Sequence, residues 1–134
     1  MALKTFKPDF NILPQPQKDL WLELKDVPDN FVLYGGTAIA LQIGHRESVD
    51  FDFFGLEKFD PDDLLKSIPA LKNAQITQLE ENTLSVKVNR GGEVYLSFFG
   101  LPHIKPIIPP LETNDGILKV ASLLDLSGMK ASVV

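Results

Sequence analysis

The chain has 134 residues and carries 13 Lys and Arg against 18 Asp and Glu, a formal net charge of −5. That length suits a single domain with its own core, and the acidic balance argues against broad electrostatic binding to nucleic acid, leaving a local patch or a bound metal to hold such a substrate. The absence of cysteine excludes disulfides and thiolate metal sites and fits a cytoplasmic location, while no stretch approaches the roughly 20 apolar residues of a membrane span and the first ten residues lack the apolar run of a secretory signal.

Residues 1–16 hold Pro8, Pro14 and Pro16 and are predicted to form an irregular N-terminal arm. Leu20, Trp21, Leu24 and Val27 recur at helical spacing, so residues 17–27 read as a helix, ended by Pro28, Asp29 and Asn30. The apolar run 31–34 reads as a buried strand and Gly35-Gly36 as a turn. Residues 37–43 then read as a helix with Thr37 near its N-cap and Gly44 as its stop. A second strand is expected over 49–54.

Asp60, Pro61, Asp62 and Asp63 form a helix start, with an aspartate cap, proline at the first position and acids in the first turn. That helix is expected to run to about Ile68. Three strands follow over 75–80, 83–89 and 93–99, joined by hairpin turns at Glu81-Asn82 and Arg90-Gly91-Gly92. Lys87 and Arg90 read as solvated charges. The prolines of 101–110 indicate an extended connector, and residues from 122 onward read as a helix. The sum is an α+β domain over 1–134, with a mixed, curved sheet of about five strands and helices packed on it. No stop signal closes the last helix where the sequence ends at Val134, which reads as a domain cut short.

Two segments carry chemistry. Gly35, Gly36 and Thr37 bring backbone N–H groups and a hydroxyl to a helix start, where a phosphate can bind. The plain alternative is a tight strand-to-helix turn with a capping threonine. Asp50 and Asp52 stand at i and i+2 of a strand, so both carboxylates face one side while Phe51 and Phe53 fill the other. Paired hard oxygens suit Mg²⁺, which completes its shell with water and substrate phosphate. The alternative is two aspartates on the wet face of an edge strand. Arg46 can contact phosphate or pair with an aspartate, and Lys130 can reach a triphosphate or simply cap a surface helix.

With these residues in view, the chain resembles the AbiEii/AbiGii-type toxin nucleotidyltransferases, within the DNA-polymerase-β-like nucleotidyltransferase superfamily. The resemblance rests on Leu13-Pro14 with Leu20-Trp21, on residues 31–38 (FVLYGGTA), on Gly44-His45-Arg46, on residues 48–54 (SVDFDFF) and on residues 120–126 (VASLLDL). It implies the polymerase-β-like fold. It also implies that Gly35, Gly36 and Thr37 hold the β- and γ-phosphates of a nucleoside triphosphate, that Asp50 and Asp52 bind Mg²⁺, and that Arg46 and Lys130 are supporting cations. The expected reaction moves a nucleoside monophosphate to an acceptor hydroxyl, in relatives often the 3′ end of tRNA, and a cognate antitoxin is the expected protein partner. The superfamily's third carboxylate falls at Ser97 here, and the family's C-terminal helical segment with its Lys-Asp motif is expected to be missing. Those two points define the alternative: a non-catalytic or truncated module that binds nucleotide or a protein partner, as a homodimer formed over uncovered apolar surface.

Overall fold

In the computed structural model, which describes residues 4–28, 30–44, 50–55, 57–101 and 110–122, eight strands join in one mixed sheet. In chain order they are β1 (Thr5–Phe6), β2 (Phe31–Tyr34), β3 (Asp50–Gly55), β4 (Gln75–Glu80), β5 (Thr83–Asn89), β6 (Glu93–Gly100), β7 (Leu111–Thr113) and β8 (Lys119–Val120). Across the sheet the order is β1-β7-β8-β2-β3-β6-β5-β4. The helices are α1 (Gln15–Trp21), α2 (Gly35–Ile43) and α3 (Pro61–Ser67), with 3₁₀ turns at Phe10–Ile12, Leu22–Asp26 and Pro69–Leu71.

The α+β class matches the sequence reading, but the expected five strands become eight among the described residues. The additional ones, β1, β7 and β8, are two or three residues long. They exist because distant segments pair: Thr5 with Glu112, Leu33 with Val120. Such pairing leaves no period-two pattern in the local sequence. The arm 1–16 is accordingly less irregular than expected. It contributes β1 and a 3₁₀ turn, and α1 already begins at Gln15 with Pro16 in its first turn, where a missing N–H costs nothing. The helix expected over 17–27 stops at Trp21 and tightens into the 3₁₀ turn, yet Leu20, Trp21, Leu24 and Val27 are all buried as their spacing required.

Other expectations hold closely. Asp60 caps α3 by accepting from the Asp62 N–H at 2.9 Å. Gly44 closes α2 at φ +62°. The hairpins β4–β5 and β5–β6 run where the sequence placed them, with Asn82 at φ 57° in the first turn. Arg90, expected to be solvated, instead holds Glu23 through two hydrogen bonds of 2.7 and 2.8 Å, and so ties the β5–β6 turn to the 3₁₀ turn after α1. Lys87 pairs with Glu93 at 3.2 Å. The connector 102–109, His45, His103 and the expected C-terminal helix lie outside the described residues.

One face of the sheet is the core. Phe51 and Phe53 of β3 and Phe98 of β6 are fully buried, with Phe53 and Phe98 stacked at 5.1 Å. Trp21 of α1 reaches Phe51 at 6.5 Å, and Ala38, Ala40 and Leu41 of α2 join the same cluster. Trp21 also donates through Nε1 to Asp115 Oδ2 at 2.8 Å, which fixes the loop between β7 and β8 against α1. The opposite face carries Asp50, Asp52, Tyr95, Ser97 and Ser85, whose positions alternate with the core residues along each strand. At the β4 edge every residue is exposed.

This division predicts unequal costs for truncating apolar side chains of one sheet. Phe98→Ala should destabilise by about 3–5 kcal/mol, while Ile76→Ala, on exposed β4, should cost less than about 1 kcal/mol. Chemical denaturation of both variants checks the contrast.

Candidate active site

The site is built where β2, α2, β3 and β6 meet. In β3 the apolar positions Phe51 and Phe53 must face the helices, so Asp50 and Asp52 face the open side. Tyr34 lies opposite Asp52 in β2 and Ser97 lies opposite it in β6. Asp52 is therefore flanked by the start of α2 on one side and by the β6–β5 hairpin on the other.

Gly35 makes that proximity feasible. It has φ +80°, and a Cβ placed on it would lie 3.1 Å from Asp52 Oδ2. The glycine turn and the carboxylate pair thus occupy one place, as the sequence spacing suggested. The helix begins at Gly35 itself and not at Thr37, so Gly35 and Gly36 belong to its first turn. Their N–H groups are among those that have no partner within the helix. Thr37, expected near the cap, is the third residue of α2 and is buried. Its hydroxyl donates to the backbone carbonyl of Asp50, pinning the helix to the first residue of the carboxylate strand. This bond gives the Thr37 hydroxyl a positioning role, holding α2 on β3.

The carboxylates have no such compensation. Neither side chain accepts a hydrogen bond or forms an ion pair among the described residues, and no third Asp, Glu, His or Cys joins them there. Burial pushes the Asp52 carboxyl above the usual carboxylate range, and the negative charge of Asp50 pushes it further. Ser97 stands where a third carboxylate was sought. Its Oγ is 3.0 Å from Ser85 Oγ. Farther along the same face, Phe54 stacks on Tyr34 at 5.0 Å and meets Phe99 edge-on at 5.3 Å, so the side of Asp52 toward Gly55 is walled by aromatic rings.

A cavity of about 400 Å³ opens from the pair, lined by Asp50, Asp52, Ser97, Tyr95, Ser85 and Val86 and reaching Thr77 and Gln78 of β4. The donor set fits Mg²⁺: two hard carboxylates on one face, with room for water and phosphate oxygens. Arg46 and Lys130 lie outside the described residues. Sequence reasoning missed Thr77 and Gln78. A signal was present, because Ile76 and Leu79 are three residues apart in a strand, where apolar positions should recur every two. That spacing marks a β-bulge, and the pairing with β5 indeed shifts between Ile76 and Gln78.

A mixed sheet with two carboxylates on a central strand, facing a helix opened by glycine, defines a nucleotidyltransferase-like domain. A solved structure of an H. pylori protein assigned as a nucleotidyltransferase shares this fold, with a TM-score of 0.60 at 20% identity over 85% of this chain and 55% of that one. An uncharacterized protein of Aquifex aeolicus (strain VF5) is 30% identical over 109 residues, 79% of this chain and 50% of its own length. Residues 20–104 match the family described as nucleotidyl transferase AbiEii toxin, Type IV TA system. The chain belongs to the AbiEii nucleotidyltransferase toxin family. It spans about half the length of the relatives it matches. No helix among the described residues is long and apolar enough to cross a membrane.

Two stability predictions follow from this geometry. The folded state holds a proton on Asp52 more readily than the unfolded chain does. Stability is therefore lost as pH rises from the ordinary carboxylate range through the raised value, and the full penalty stands at neutral pH. Asp52→Asn should melt a few degrees above the wild type at pH 7, and the gap should close as the pH falls toward about 4; thermal melts across that range measure it. Gly35→Ala should destabilise by about 1–2 kcal/mol, because alanine disfavours that left-handed φ and its Cβ would crowd Asp52. Denaturant titration gives the value.

Proposed function

We propose that this chain carries the nucleotidyl-transfer site of an Mg²⁺-dependent toxin, moving a nucleoside monophosphate from a nucleoside triphosphate to an acceptor hydroxyl. One observation carries the reading: a carboxylate pair, Asp50 and Asp52, unpaired among the described residues and packed against the glycine-opened N-terminus of α2. A half-buried carboxylate that loses solvent beside a second negative charge, with no partner among the described residues, is costly to a fold. Their retention beside a helix start that favours anions suits a site built for a cation and a polyphosphate together.

In this reading the N–H groups of Gly35 and Gly36 receive the β- and γ-phosphates. Asp50 and Asp52 hold the metal, and Thr37 keeps α2 and β3 in register so that the two binding elements stay aligned. Bound Mg²⁺ would supply charge neutralisation at the α-phosphate and the departing pyrophosphate, and would acidify the acceptor hydroxyl. The acceptor oxygen forms a bond to the α-phosphorus as the bond from that phosphorus to the pyrophosphate oxygen breaks. The hydroxyl proton passes to solvent. Arg46 and Lys130 act as the supporting cations, RNA, with the 3′ end of tRNA foremost, is the acceptor class, and an antitoxin is the protein partner that the family's Type IV toxin-antitoxin description supports.

A second reading has its own support in Ser97, which faces Asp52 across β6 with its hydroxyl on Ser85 and leaves a pair where a triad was expected. There the domain binds nucleotide without turning it over. Incubation with labelled triphosphates, Mg²⁺ and total tRNA separates the two. Nucleotidyl transfer should be detected, should require Mg²⁺, and should fall about 10³-fold or more in Asp50→Ala and Asp52→Ala, the several kcal/mol that a metal's charge stabilisation represents. Transfer that survives both substitutions would remove the carboxylates from the mechanism. Nucleotide binding without transfer would favour the second reading.

A further inference from the structure

We propose that the far half of the cavity, formed by β6, β5 and the bulge of β4, is the acceptor subsite, and that it recognises an uncharged ribose-type diol and its base edge through Gln78 and not a phosphate backbone. The proposal rests on the nucleotidyl-transfer reading for what is transferred. Its recognition chemistry is read from residues that reading does not use.

Direction comes first. Asp52 has Gly35 on its β2 side and Ser97 on its β6 side. In a phosphoryl-type displacement the attacking and leaving oxygens lie roughly in line on opposite sides of phosphorus. With the leaving phosphates at the glycine turn, the attacking hydroxyl must arrive over β6. The cavity lies on that side and runs past Ser97 and Ser85 to Thr77 and Gln78. Its volume, about 400 Å³, falls within the range of small-molecule sites.

The bulge supplies the specificity. Adjacent residues of a regular strand point to opposite faces, yet Thr77 and Gln78 both line this cavity. Ile76 pairs with Val86; without an extra residue Gln78 would pair with Leu84 and fall on the core face. The register shift instead sets Gln78 opposite Ser85 and Leu79 opposite Leu84. One inserted residue thus moves a carboxamide onto the reaction face, which is a recognised use of bulges near active sites. Gln78 Nε2 lies 3.5 Å from Glu80 Oε2, at the outer limit of a hydrogen bond, so both ends of the amide can serve a ligand.

The lining chemistry favours sugar and base over a phosphate track. Among the described residues, beyond the two aspartates, it consists of hydroxyls, a carboxamide, a phenol and Val86, with no Lys or Arg. Lys87 of the adjoining strand is paired with Glu93. Grooves that follow a nucleic-acid backbone are cationic. A neutral groove with paired donor and acceptor groups suits sugar hydroxyls and a base edge.

The test measures binding without turnover, by NMR titration in Mg²⁺ with a non-hydrolysable triphosphate present. The probes are adenosine, an RNA trinucleotide ending in a free 2′,3′-diol, and the same trinucleotide ending in a 3′-phosphate. Both diol probes should bind, with the 3′-phosphate form at least about tenfold weaker, and Gln78→Ala should weaken diol binding about tenfold. Trinucleotide affinity should change less than about threefold between 50 and 200 mM salt, against the roughly sevenfold loss expected if both of its phosphates were neutralised by the protein. Tighter binding of the trinucleotide than of adenosine assigns the diol to an RNA end, and equal binding assigns it to a free nucleoside. No diol binding, unchanged affinity in Gln78→Ala, or a steep salt dependence each overturns the proposal. Because the readout needs no chemistry, Gln78-dependent binding without any transfer would defeat the nucleotidyl-transfer reading alone, and transfer with an acceptor KM indifferent to Gln78→Ala would defeat this one alone.

Discussion

Strand β3 can occupy only one register, and the rest of the molecule is arranged around that fact. Phe51 and Phe53 alternate with Asp50 and Asp52. A slip of one residue would expose two large aromatics, each worth about 1.5–3 kcal/mol of burial, and drive two carboxylates into the core, where no partner exists for them. Neighbouring strands repeat the constraint. Leu33 and Phe98 must also face inward, and their pairing with Phe53 fixes Tyr34 and Ser97 beside Asp52. The core therefore sets the positions of the polar face without contacting it. The Thr37 hydroxyl adds a direct link from α2 to the Asp50 backbone, so the helix start and the carboxylates form one rigid corner.

That corner stores an unfavourable interaction. Asp52 loses solvent, faces the charge of Asp50, and lies so near Gly35 that a Cβ there would crowd its carboxylate. None of this helps the fold. It is tolerated because the opposite face is densely apolar and because Glu23 and Arg90, half-buried, clamp the β5–β6 hairpin to the helical layer through two short hydrogen bonds. Concentrating the strain in one site and the stability in the layer behind it is the pattern expected where function and folding compete.

Much of this was legible in the sequence because the signals were local. The Asp60 cap, the Gly44 stop, both hairpins and the alternation of β3 each depend on a few adjacent residues, and each appears where local chemistry placed it. The convergence of Gly35 and Asp52 was legible too, since a short helix between antiparallel neighbours brings its two flanking strands together. What escaped was set by partners far away. β1 needs β7, β8 needs β2, and Arg90 finds Glu23 67 residues earlier. The start of α2 was misplaced for another reason: glycine propensity argues for a turn, whereas the positive φ of Gly35 serves only to enter the helix. The β4 bulge lay between these cases, written in the spacing of Ile76 and Leu79 but meaningful only once β5 is beside it.

The sheet order also separates two kinds of change. Anything held at the glycine turn depends on β2 and α2, whose residues are largely buried: Tyr34, Thr37, Ala38 and Leu41 have little freedom to vary without loss of packing. Anything reaching the pair from the other side meets β4, an edge strand exposed along its whole length. Substitutions there cost the fold little, and moving or removing the bulge changes which side chains reach the open face. Under the proposed transfer, such a domain would keep one donor chemistry while its acceptor changed, because the donor would be held by the core and the acceptor by the rim.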